Sequence, residues 1–122
     1  MNYMYVALGG ALGACLRYFI MLKADLWFGK AMPFGTLAVN VAGSFLLGVF
    51  YAVMHQEAPI DNPYRAFFAI GLLGAFTTFS TFSYDTLLLL QQGEWLKALA
   101  NIGLNVFVCI LAAGSAVYLV KG

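Results

Sequence analysis

Four stretches of this chain, 4–22, 35–54, 66–90 and 98–120, are each apolar and long enough to cross a bilayer, and together they take up most of its 122 residues. A crossing needs about 20 mainly apolar residues, because a helix rises roughly 1.5 Å per residue and the hydrocarbon core is about 30 Å thick. Every backbone N–H and C=O at that depth must be satisfied within the protein. The expected fold is therefore an all-α membrane protein, a single integral membrane domain over 1–122 with four transmembrane helices at these positions. The connections, 23–34, 55–65 and 91–97, are short and hold all three prolines, Pro33, Pro59 and Pro63. No Lys or Arg precedes the first stretch, so it reads as a retained helix rather than a cleaved signal.

Composition narrows the function classes. Charged residues make up 9% of the chain, against about 25% in a soluble domain. Six Lys/Arg against five Asp/Glu leave no basic face for nucleic acid. Cys15, Cys109 and His55 stand isolated, so neither a metal-ligand spacing nor a disulfide framework is present.

The loop charges give almost no orientation signal. With four crossings, Lys23, Lys30 and Lys97 fall on one side, and Arg65 and Lys121 on the other. Adding the terminal amine balances the two sides, and counting Arg17 with the first loop tips them by a single charge. Since short-loop Lys and Arg set topology, this chain can insert both ways up. No internal repeat is visible, so transporter-like symmetry must come from a second copy.

Polar groups at membrane depth are expensive and by default mark function. Arg17 is one candidate, with snorkelling to the interface as its simpler reading. Gly9 and Gly13, in GxxxG spacing, read as helix packing. Asn40 offers two donors and an acceptor within the second stretch. Asn101, Asn105 and Cys109 recur every fourth residue and share one helix face, which leaves both interhelical glue and pore lining open.

The segment Gly71 to Asp85, GLLGAFTTFSTFSYD, is the most informative. Phe76, Phe79 and Phe82 recur every third residue, with five hydroxyls between Thr77 and Ser83. Helix propensity is poor there, and glycine at membrane depth invites a break whose freed backbone groups need partners. With no buried acid or histidine for a proton relay, passive permeation fits better than pumping. Amide and hydroxyl donors with positive Phe ring edges suit a small anion.

GGALGACLRY (Gly9 to Tyr18), GTLAVNVAGSFLLG (Gly35 to Gly48) and GLLGAFTTFSTFS (Gly71 to Ser83) resemble the motifs of the CrcB-type, or Fluc, fluoride channels. The resemblance implies a fluoride-selective passive channel of the bacterial inner membrane, not an enzyme, that exports cytoplasmic fluoride. It implies an antiparallel, dual-topology homodimer in the lipid bilayer, with two pores at its interface and a break in the third helix. Fluoride would pass Asn40, Phe79, Phe82, Ser80, Thr81 and Asn105, with Arg17 at the vestibule. A structural sodium ion would rest on the backbone carbonyls of Gly74 and Thr77. Ala75, Asp85, Asn105 and Cys109 depart from the family's usual residues. The alternatives are a small four-helix multidrug exporter, which would need a carboxylate in its first helix, and a membrane scaffold.

Overall fold

The computed structural model describes residues 2–29, 31–54 and 62–121, and every element among them is helical. Helix α1 spans Asn2–Phe28 and α2 spans Phe34–Met54. Helix α3 begins with the wide π-type turns of Arg65–Leu73 and closes with Gly74–Phe76; α4 is Phe79–Gln91. Helix α5 runs through Trp95–Gly103, a second π-type segment Leu104–Val108, and Cys109–Lys121. Four spans, Asn2–Phe28, Phe34–Met54, Arg65–Gln91 and Trp95–Val120, are long and apolar enough to cross a membrane. Of the second connection, residues 55–61, with His55 and Pro59, lie outside the described residues, as does Lys30 of the first.

The first helix is longer than the apolar stretch 4–22: α1 continues to Phe28 and takes in Lys23 and Asp25. Hydropathy falls at Lys23, but backbone hydrogen bonding stops only at Gly29, whose φ of 75° suits a residue without Cβ. The Lys23 ammonium lies 5.5 Å from the Phe19 ring centroid, so its charge stays on the helix surface. Asp25 is thus an acid in the first helix, near its end rather than at its middle. At the other turn, Glu94 N–H donates to Leu89 and Gly93 N–H to Leu90. This Schellman closure lets α5 fold straight back on α4.

Helix α1 packs chiefly on α3, and α2 chiefly on the C-terminal half of α5. Gly9 and Gly13 make the first contact possible. A methyl at Gly13 would overlap the carbonyl oxygen of Leu72, and one at Gly9 that of Phe67. The GxxxG pair is therefore a packing device between two helices of one chain. The third span is the most buried of the four, so its irregular centre lies where the other helices meet.

Candidate functional site

Between α3 and α4 the backbone of Thr77 (φ −86°, ψ 161°) and Thr78 (φ −153°, ψ 122°) is extended. Two helical hydrogen bonds are replaced here. The Thr78 N–H, which in an unbroken helix would reach the Gly74 carbonyl, donates to Oδ1 of Asn40 at 2.8 Å. The Thr81 N–H, whose helical acceptor would be Thr77, donates to Oγ1 of Thr78 at 3.2 Å, which makes Thr78 the N-cap of α4. The carbonyls of Gly74 and Thr77 thereby lose their helical donors. Thr77 is held back on α3 by its own N–H and hydroxyl, both donating to the Leu73 carbonyl at 3.1 and 3.0 Å.

Asn40 on α2 is the counterpart of this interruption. Its Nδ2 donates to the Thr78 carbonyl at 3.1 Å and to Oδ1 of Asn105 at 2.9 Å. All of the amide's principal hydrogen-bonding directions are used. Asn105 in turn donates to the backbone and side-chain oxygens of Asn101 at 2.9 and 3.0 Å. Asn101 donates to Thr86 at 3.0 Å, and Thr86 to the Phe82 carbonyl at 2.9 Å. One directed chain of donors thus leaves α4 at Thr78, crosses α2 and α5, and returns to α4 at Phe82. In a dry interior such a fully partnered network rigidifies what it connects.

A cavity of about 290 Å³ opens beside this network, lined among others by Asn40, Ser44, Gly74, Thr77, Thr78, Phe79, Phe82 and Asn105. The Phe79 and Phe82 rings meet edge to face, 5.4 Å apart at 60°. Phe82 is buried, whereas Phe79 is 75% exposed on the outer face of the chain. Gly43, also on the wall, lets α2 approach the interruption, since a methyl there would overlap Cγ2 of Thr77.

Residues 4–117 match the family described as CrcB-like protein, Camphor Resistance (CrcB). The chain belongs to this CrcB family. A protein of Alteromonas mediterranea named fluoride-specific ion channel FluC is 58% identical over 120 residues, 98% of this chain and 94% of that relative. Proteins of the same name from Pseudoalteromonas translucida and Shewanella woodyi are 53% identical over 108 residues and 54% over 109. These alignments cover 88% and 89% of this chain, and 90% and 87% of those relatives. With four spans and this membership, the chain is a multi-pass membrane protein of an ion-channel family.

Six of the nine residues singled out from the CrcB pattern come together at the cavity: Asn40, Gly74, Thr77, Phe79, Phe82 and Asn105. Ser80 and Thr81 sit one turn away, on the first turn of α4, the Ser80 hydroxyl 3.4 Å from that of Thr78. Arg17 is half-buried on α1 and does not line the cavity. Ser44 and Thr78, outside those nine, line the cavity as well. Ser44 follows Asn40 by four residues and so shares its face, and Thr78 precedes a helix in the pattern of an N-cap. Asn101 is wholly buried and serves as interhelical glue, while Asn105 is both glue and lining. Asp85 lies apart, accepting a hydrogen bond from Thr36 at 2.9 Å.

Proposed function

We propose that this chain is a fluoride-selective passive ion channel of the bacterial inner membrane, that it exports cytoplasmic fluoride, and that it works as an antiparallel homodimer. The observation that carries the reading is the cavity at the helix interruption, lined together by Asn40, Ser44, Thr78, Phe79 and Phe82. Relatives bearing the name fluoride-specific ion channel FluC support the choice of ion. A small, hard anion exchanges its hydration for fixed donors and positive ring edges. No bond is made or broken, so no catalytic residue is required. Fluoride enters acid-exposed cells as neutral HF and is trapped as the ion. The membrane potential, worth about 2.3 kcal/mol per charge per 100 mV, then expels it through an open path.

The homodimer reading is supported by the balanced loop charges and by exposure. Phe79 is 75% exposed at the rim of the cavity, on a surface that an opposite-facing copy would cover. Each pore would then be walled by both subunits.

Sodium fits the residues present. The Gly74 and Thr77 carbonyls have both lost their helical donors, and carbonyl oxygens suit a hard monovalent cation. Two from each subunit would hold it, and the ion would supply a fixed positive charge at the interruption. Asn40 has the complementary task of holding Thr78 away from Gly74.

The reading is tested in cells lacking the protein, which are expected to stop growing at fluoride concentrations that the complemented strain tolerates. A multidrug exporter would instead change tolerance to organic cations, and a scaffold would change neither.

A further inference from the structure

We infer that Thr86 and Asn101 are positioning residues that hold the Asn105 amide, and with it the Asn40 amide it meets, in one orientation on the wall of the permeation cavity; the inference rests on the channel reading above. Neither residue lines the cavity. Asn101 is 0% exposed and Thr86 9%, a depth at which a polar side chain needs a partner.

The direction of the chain follows from its two ends. The Thr86 hydroxyl spends its only proton on the Phe82 carbonyl at 2.9 Å, so toward Asn101 it can only accept. Asn101 must therefore present Nδ2 to Thr86, which turns its Oδ1 toward Asn105 at 3.0 Å. Asn105 presents Nδ2 to both oxygens of Asn101, the backbone carbonyl at 2.9 Å and Oδ1 at 3.0 Å, leaving its own Oδ1 for Asn40 at 2.9 Å. Asn40 is left with Nδ2 donating both to Asn105 and to the Thr78 carbonyl at 3.1 Å, and with Oδ1 accepting from the Thr78 N–H. Both ends demand the same polarity. A flipped Asn40 would set oxygen against Asn105 Oδ1 and Nδ2 against the Thr78 N–H. The same hydroxyl bonds the Phe82 carbonyl one turn earlier on α4, so the clamp joins α4 to α5 beside the cavity.

The test compares purified wild type, Thr86→Val, Asn101→Ser and Thr86→Ser in liposomes, measuring fluoride efflux per assembled channel and the fluoride-to-chloride ratio. Valine keeps the volume of Thr86 without the hydroxyl, and serine at 101 is too short to bridge Thr86 and Asn105. Both are expected to lower efflux about tenfold, the worth of roughly one buried hydrogen bond, and to narrow the ratio. Thr86→Ser, which keeps the hydroxyl, should restore both. If the assembled variants lose thermal stability but keep wild-type efflux and ratio, Thr86 and Asn101 only hold helices together and the inference is overturned. If Thr86→Val does not assemble, Asn101→Ser alone decides by the same two readouts. Absence of fluoride efflux from the wild type overturns the channel reading itself, a result distinct from equal efflux in all four proteins.

Discussion

The backbone N–H of Thr78 is held by Oδ1 of Asn40, 38 residues earlier in the chain, at 2.8 Å. That single contact redirects a hydrogen bond that an unbroken helix would give to Gly74, and it ties the second span to the interruption in the third. The same side chain lines the cavity, with its N–H donors engaged by the Thr78 carbonyl and Asn105.

Asn40→Asp separates these two tasks poorly and should damage both. A carboxylate would face the Thr78 carbonyl and Asn105 Oδ1, where Nδ2 now donates. Leaving those acceptors unpaired costs about 1–3 kcal/mol, and negative charge enters the path of an anion. Thermal unfolding in detergent should show the lower stability, and the surviving assembled protein should pass little or no fluoride.

Phe79→Ile and Phe82→Ile should both suppress flux, because isoleucine keeps apolar bulk but has no electropositive ring edge. Their stabilities should differ. Phe82 is buried and its replacement should lower the stability of the chain by about 1 kcal/mol, whereas Phe79 is 75% exposed in one chain and should cost less. Efflux and thermal unfolding on the same samples check the split. Wild-type flux from a well-folded Phe82→Ile protein would remove the rings from the pathway.

Gly43→Val pushes against Thr77, since even one methyl at this position would overlap Cγ2. Overpacking of this kind costs about 1–3 kcal/mol and displaces the Thr77 carbonyl. Efflux in sodium should fall, and thermal protection by sodium, expected in the wild type, should shrink. Protection by sodium equal to that of the wild type would show that the Thr77 carbonyl is not a ligand.

Three lysines added to one set of loops should fix the orientation of the chain. One such variant alone should lose fluoride efflux, and co-expression with a variant biased the opposite way should restore it. If both insert and the pair stays inactive, the subunits are parallel.

Much of the site was legible along the chain. Poor helix formers crowded between Gly71 and Ser83 announce irregular backbone, and Gly9 with Gly13 announces close packing; both features are local. The hydrogen-bond partners were not legible, because they are set by folding. Asn40 meets Asn105 across 65 positions, and Asn101 meets Thr86 across 15. Spacing alone could place Asn101 and Asn105 on one face but could not tell a wholly buried amide from one that also lines a cavity. Hydropathy drops at Lys23, whereas the helix continues until Gly29 supplies a positive φ. That extension weakens the contrast with a multidrug exporter, since α1 does carry Asp25, although in its last turn rather than at its centre.

The most direct measurement is fluoride efflux from liposomes that contain only this protein, followed with a fluoride-selective electrode. Adding a potassium ionophore, with no proton gradient imposed, should release fluoride quickly while chloride-loaded liposomes release little. Fluoride that leaves only when a proton gradient is applied, or chloride that leaves as fast as fluoride, would contradict a passive, fluoride-selective channel.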